Sequence, residues 1–242
     1  MNDIDKLQGM INKSKQIVFF GGAGVSTESG IPDFRSVNGL YNQKYNFPPE
    51  EILSHHFFIN NTLEFYKFYR DKLNTLDKEP NICHKYLADL EKTGKLSMII
   101  TQNIDGLHEK AGSKNISLLH GTIYRNYCMN CFKKYSAKYV FNCKGVPTCE
   151  CGGIIKPDVV LYEEALDDES ITKAINSLKS ADLLIIAGTS LTVYPASSFI
   201  HYFGGKNIVI INKDKTSMDN YVNLVIHENI GDVFAQLKLP NK

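Results

Sequence analysis

The chain has 242 residues, 43% of them hydrophobic, which is enough for one large domain or one and a half with a proper core. Its 27 Lys and Arg stand against 26 Asp and Glu, so no global field recruits nucleic acid or a membrane surface. Asp3 and Asp5 precede any apolar run, which argues against a signal peptide, and no apolar stretch approaches membrane-spanning length.

Ile4, Leu7, Met10 and Ile11 recur at helical spacing and predict an amphipathic helix over 3–14. Residues 16–20 include a β-branched and aromatic run and predict a short buried strand. The strand empties into Gly21, Gly22 and Gly24, then Ser26 and Thr27. Such a turn lets backbone approach a pyrophosphate, with the N–H groups of the following helix facing the anion. Gly22-x-Gly24 is half of a dinucleotide fingerprint, with Thr27 where the third glycine belongs, so a plain strand–helix turn competes with it. Pro32-Asp33-Phe34-Arg35 follows: a rigid proline, a plate able to cover a flat ring, and a guanidinium able to grip phosphate. Residues 36–60 lack periodicity and read as a long loop with one short helix after Pro49. Helices are expected over 61–77 and from Pro80-Asn81 to Gly94.

Leu96 to Thr101 reads as a second buried strand ending in the polar cluster Gln102-Asn103-Ile104-Asp105-Gly106-Leu107-His108. Residues 117–121 read as a third strand ending at His120-Gly121. Val159–Tyr162, Leu183–Ala187, Ile208–Ile211 and Val222–Ile226 are further strand candidates, and Asp167 or Asp168 caps a helix through Ser180. Alternation of buried strands with helices implies an α/β fold, a Rossmann-like parallel sheet covered on both faces. The strand ends at 21–27, 102–105, 188–190 and Asn212 would converge at one sheet edge, as a dinucleotide site requires.

Five of the six cysteines lie between Cys128 and Cys151. Cys128-x-x-Cys131 and Cys149-x-Cys151 have the spacing of a zinc ribbon, and four thiolates close a structural tetrahedral Zn2+ site with no position open to substrate. Cys143 is the substitute if Cys149 does not reach; free buried thiols are expected at Cys143 and Cys83. Clustered thiols in an unsecreted chain point to metal and to the cytoplasm. The lysines of this stretch are read as a solvated basic face. The expected division is a Rossmann-like dinucleotide-binding domain at 1–35, 92–121 and 158–242, a loop and helical module at 36–91, and a zinc-ribbon module at 122–157.

These motifs resemble the sirtuin family of NAD-dependent protein deacylases. Gly22-Ala-Gly-Val-Ser-Thr-Glu-Ser-Gly-Ile-Pro-Asp-Phe-Arg35 is similar to its first signature and Thr101-Gln-Asn-Ile-Asp-Gly-Leu-His108 to its second. His120-Gly121, the cysteine pairs, Lys156-Pro-Asp-Val-Val160, Gly188-Thr-Ser-Leu191 and Ile211-Asn212 follow in the family's order, over about residues 15–235. The resemblance implies NAD as consumed co-substrate, with Gly22, Ala23, Gly24, Thr27, Asp33 and Arg35 in the cofactor loop and Phe34 shielding the nicotinamide side. Ile104 and Asp105 would hold the nicotinamide amide; Gln102 and Asn103 would position its ribose. His120 would act as general base through the ribose hydroxyls. Gly188, Thr189, Ser190, Asn212 and Asp232 match positions around the phosphates and adenosine ribose, and Val160 lies in the segment that pairs with substrate peptide as an added strand. The implied reaction is protein lysine deacetylation, releasing nicotinamide and O-acetyl-ADP-ribose. Acyl-lysine proteins are the expected partners, with no stable nucleic-acid or membrane partner and a monomeric state.

The chain departs from the family in two places. Tyr162-Glu163-Glu164 stands where many relatives read Phe-Gly-Glu, beside the acyl-lysine entrance. Relatives that remove succinyl or malonyl groups carry Tyr-x-x-Arg after the cofactor loop; here Tyr69 occupies the arginine's place and Arg70 is one position off, so neutral acyl groups are expected. Two other readings stay open: a mono-ADP-ribosyltransferase using the same NAD site, and a non-catalytic NAD-sensing or nucleic-acid-binding module. Singly, His120 could be a turn histidine, Asp105 a turn residue and Ser190 a helix cap. His55, His56, His84, His108, His201 and His227 are expected to be bland.

Overall fold

A computed structural model describes residues 2–34, 39–42 and 46–240. Helix α1 (Asp3–Lys13) begins where Asn2 accepts the Asp5 N–H, and it turns Leu7 and Ile11 inward. It leads into β1 (Ile17–Gly21), buried along its whole length. The glycine turn winds into a 3-10 helix, Ala23–Ser29, closed by Gly30 at φ 78°. Then come α2 (Pro49–Ile52), α3 (His55–Asn60) and α4 (Thr62–Lys72), so the expected loop contains two short helices and the helix expected over 61–77 stops earlier. Helix α5 (Ile82–Lys92) opens on a capping box made by Asn81 and His84. Strand β2 (Leu96–Thr101), α6 (Leu107–Ala111) and β3 (Ile116–Leu118) follow. The cysteine-rich stretch forms β4 (Gly121–Cys128), β5 (Lys134–Ser136), α7 (Ala137–Asn142) and β6 (Ile155–Val159). The chain ends through α8 (Asp168–Ser180), capped by Asp167, then β7 (Leu183–Ala187), a 3-10 helix at Ala196–Tyr202, β8 (Asn207–Ile211), β9 (Leu224–Ile226) and α9 (Ile230–Gln236).

Six strands pair in the order β3-β2-β1-β7-β8-β9, all parallel. Side chains alternate between faces along each strand. Ile17, Phe19, Ile99, Ile185 and Val209 pack with Leu7 and Ile11 of α1, Leu87 of α5 and Phe234 of α9. Val18, Phe20, Ile100, Leu184, Ile186 and Ile210 pack on the other face with Ala174 and Leu178 of α8. Burial on both faces is why these strands read as unbroken apolar runs. Register aligns Leu118, Thr101, Gly21, Ala187, Ile211 and Ile226 as one row across the sheet. Each strand therefore gives up its next residues at the same edge, and strand order reverses between β1 and β7, the position where open α/β sheets bind ligands.

A second, antiparallel sheet has the order β5-β4-β6. The strand expected at Val159–Tyr162 lies earlier, at Ile155–Val159. Pro157 lies inside β6, which pairs on one side only, and an edge strand tolerates proline. A third core joins Phe57, Phe58, Phe65, Tyr66 and Tyr69 of α3 and α4 to Ile123, Val140 and Ile155 of the cysteine-rich stretch. Helix α5 lays Cys83, Tyr86, Leu87 and Leu90 against the large sheet. No helix among the described residues is long and apolar enough to cross a membrane.

Candidate active site

The glycines at the switch point serve backbone-to-backbone packing. The Gly24 N–H donates to the Gly188 carbonyl at 2.8 Å and the Gly22 N–H to the Ala187 carbonyl at 3.1 Å. A Cβ on Gly22 would meet the Gly188 oxygen at 2.7 Å, and one on Gly188, at φ 60°, would meet the Val25 nitrogen at 2.4 Å. Two strand-end loops touch here through bare main chain, as close approach of backbone to a ligand requires.

Beside them, Asp105, Ser26 and Asn103 form one buried network. Ser26 Oγ donates to Asp105 Oδ2 at 2.6 Å, Asn103 Nδ2 donates to Ser26 Oγ at 3.1 Å, and Asp105 Oδ1 accepts the Leu107 N–H at 2.9 Å. Burial raises the Asp105 carboxyl above its ordinary pKa, partly offset by the Ser26 and Leu107 bonds. Gln102 connects two further loops: its Nε2 donates to Thr189 Oγ1 at 3.3 Å, and its carbonyl lies 3.0 Å from His120 Nδ1. A carbonyl only accepts, so Nδ1 carries the proton, and neutral His120 presents a lone pair at Nε2. Burial lowers the His120 pKa, partly offset by the Gln102 bond, so the ring is neutral at pH 7. The His120 carbonyl accepts the Val160 N–H at 3.0 Å, tying the histidine to the segment after β6.

The structure thus joins Gly22, Gly24, Gly188, Thr189, Gln102 and His120 through direct contacts, and Asn103 to Asp105 through Ser26. Ala23 opens the 3-10 helix, and Thr27 Oγ1 donates to the Gly24 carbonyl at 3.0 Å. The Asp33 carbonyl accepts the Leu40 N–H at 2.9 Å; Phe34 and Ile104 are half-buried against the third core. The Asn212 side chain donates to the Asp214 carbonyl at 2.7 Å, the Asp232 carboxylate accepts from Asn229 at 2.9 Å, and exposed Ser190 Oγ lies 2.8 Å from Thr192 Oγ1. Arg35 lies outside the described residues. Sequence reasoning missed two residues. One is Ser26, which bridges two strand ends. The other is Glu28, whose Oε1 accepts the Gly231 N–H at 2.7 Å and so ties the glycine loop to α9. Both stand in the first signature, but a serine after a glycine turn reads as a cap until the other strand is in place.

Cys128, Cys131, Cys149 and Cys151 bring their sulfurs within 4.8 Å of one another. Neighbouring sulfurs lie 3.4 Å (Cys128–Cys151, Cys131–Cys151) and 3.6 Å (Cys131–Cys149) apart. Zn–S bonds of about 2.3 Å in a tetrahedron put sulfurs about 3.8 Å apart, so the donor set fits Zn2+. Cys149 is in the cluster; Cys143 lies outside it, its thiol 3.6 Å from the Lys144 carbonyl. Cys83 is buried in the core of the large sheet, as is the His84–His108 pair, with ring centroids 4.7 Å apart.

Residues 22–195 match the Sir2 family. The chain belongs to that family. The Sir2-family chain is 56% identical to a Clostridium perfringens protein named NAD-dependent protein deacetylase, over 97% of this chain and 98% of that relative. A solved structure of Sir2 with a p53 peptide and NAD+ is 35% identical, covering 98% of this chain and 97% of its own, with a TM-score of 0.85. A Sir2 variant with a deacetylated p53 peptide and 3'-O-acetyl ADP-ribose covers 97% and 96% at 35% identity, with a TM-score of 0.89.

Proposed function

We propose that this Sir2-family protein is an NAD-dependent protein lysine deacetylase, acting as a monomer in the cytoplasm, where its clustered thiols stay reduced and free for zinc. The donor set fits NAD. The glycine contact packs two strand-end loops together at the switch point, where a pyrophosphate would lie. Asp105, with both oxygens already fixed, keeps a further lone pair on each for an amide NH2. When bound, NAD supplies an activated ADP-ribosyl group that leaves nicotinamide and accepts the acyl group.

The chain's own residues do the rest. Ile104 and Asp105 hold the amide end, with Asn103 and Gln102 beside the adjoining ribose. Thr189, Ser190, Asn212 and Asp232 line the path toward the adenosine, with Ala23 and Thr27 by the phosphates. The segment at Val160 pairs with the substrate peptide, so the acyl-lysine enters next to the residue bonded to His120. His120 Nε2 takes the proton released as the acyl group transfers.

The observation that carries this reading is the Gln102–His120–Val160 connection: one residue whose neutral imidazole, fixed as the Nδ1–H tautomer, is bonded to a strand end of the nucleotide edge, and whose main-chain carbonyl is bonded to the peptide segment. Nicotinamide release from NAD with an acetyl-lysine peptide tests it. Wild type releases nicotinamide and free lysine together, and His120→Ala loses about 10²- to 10⁴-fold in rate. Because the His120 pKa is depressed, the acid limb of kcat/KM falls below the ordinary imidazole value of about 6.5. ADP-ribose retained on protein, with no free lysine, would point instead to ADP-ribosyl transfer.

A further inference from the structure

Tyr162, Glu163 and Glu164 follow Val160 and are all held by the helical module. The Tyr162 N–H donates to the Leu53 carbonyl at 2.9 Å, and its carbonyl accepts the His55 N–H at 3.0 Å. Glu163 sits at φ 75°, which L residues seldom adopt, and its carboxylate accepts the His56 N–H at 2.9 Å. Glu164 accepts from Lys156 Nζ at 3.0 Å and lies 2.8 Å from His55 Nδ1. Burial pushes its carboxyl up, but the Leu161 N–H, His55 and Lys156 outweigh that and hold it below its ordinary pKa. The main chain of Tyr162 is therefore tied to the helical module on both sides of its residue.

That ring reaches toward the glycine loop. Its hydroxyl lies 2.5 Å from the Tyr41 hydroxyl. The Tyr41 N–H in turn donates to the Phe34 carbonyl at 2.8 Å, and the two rings meet edge to face with centroids 5.4 Å apart. A continuous path runs from the segment after Val160, through two hydroxyls, to the aromatic plate that ends the described part of the loop.

We propose that Tyr162 and Tyr41 are positioning residues that couple binding of the acyl-peptide to binding of NAD. The inference rests on the function proposed above, with peptide on the Val160 segment and Phe34 on the nicotinamide side. A peptide strand added at Val160 stiffens the segment through Tyr162. The hydroxyl pair passes that restraint to Tyr41, whose main-chain bond and ring contact place Phe34. NAD then meets a plate already ordered, so its affinity rises when peptide is present.

The test is calorimetric titration with carbocyclic NAD, which is not cleaved, with and without saturating acetyl-lysine peptide. Wild type, Tyr162→Phe, Tyr41→Phe and the double variant are compared. All keep their rings, and thermal melts verify that they fold. Peptide tightens NAD in wild type; the tightening factor falls about three- to fivefold in either single variant and no further in the double. Equal factors in wild type and Tyr162→Phe, or losses that add in the double, overturn the coupling while leaving the proposed function standing. Wild type that binds neither carbocyclic NAD nor peptide overturns the function and this inference together.

Discussion

Arg70 lies one residue past the place where an acidic acyl group would want its guanidinium, and its side chain is engaged elsewhere. Nη2 donates to the Gly145 carbonyl at 2.7 Å, and the guanidinium stands 5.4 Å from the Tyr66 ring centroid. Tyr69, at the place itself, is fully buried, stacked between Phe141 at 5.1 Å and Phe65 at 5.5 Å. A succinyl carboxylate thus finds neither fork nor freed cation. Acetyl-lysine peptide is expected to exceed succinyl-lysine peptide by about 10²-fold or more in kcat/KM. Arg70→Ala should lower the melting temperature without changing that ratio, and fast desuccinylation lost in Arg70→Ala would refute the assignment. At this scale the sequence was informative about chemistry and blind to partnership. The motif order nominated His120 and Asp105, but the tautomer of His120 depends on a carbonyl 18 residues away, and Ser26 acts through Asp105, 79 residues away. Tyr41, in a stretch without periodicity, gave no signal at all.

Gly188 shows what the loop elements demand. An alanine there suffers both the positive φ and a Cβ 2.4 Å from the Val25 nitrogen, whereas Gly112, at φ 105°, has nothing within 4 Å of its Cβ. Gly112→Ala should therefore cost about 1 kcal/mol, for backbone strain alone. Gly188→Ala should cost well over about 2 kcal/mol and abolish NAD binding, because the two loops must separate. Urea unfolding of the two variants reads the difference; equal losses would mean that the loop contact adds nothing. The buried parallel strands were legible for the same reason that they are stable: both faces are covered, so the apolar run is unbroken. Strand β4 was not, because Gly121–Cys128 sets exposed Tyr124 and Arg125 and the buried polar Asn126 among its apolar residues. Its neighbour β6 was misplaced because an edge position excuses Pro157.

The third core makes the metal a matter for the whole molecule. Cys128 and Cys149 belong to the same buried cluster as Phe57, Phe65 and Tyr69, so the zinc ribbon and the helices beside the cofactor loop stand or fall together. Four thiolates leave no coordination site for substrate, so zinc acts on catalysis only through folding. Stripping zinc with a chelator should abolish peptide-dependent nicotinamide release and restructure α3 and α4, and added zinc should restore both. Full activity after stoichiometric zinc release would contradict the shared core. The central strand has a consequence of another kind. Strand β1 takes β2 on one side and β7 on the other, and Ser14 just before it bonds Asp182, 168 residues later. On the ribosome, β2 follows early, but β7 emerges only after the ribbon and α8. At ordinary translation speeds the nascent chain therefore holds one open edge of a strand with wholly apolar side chains for roughly 5–15 s, the interval in which it is most exposed to pairing with a neighbouring nascent chain.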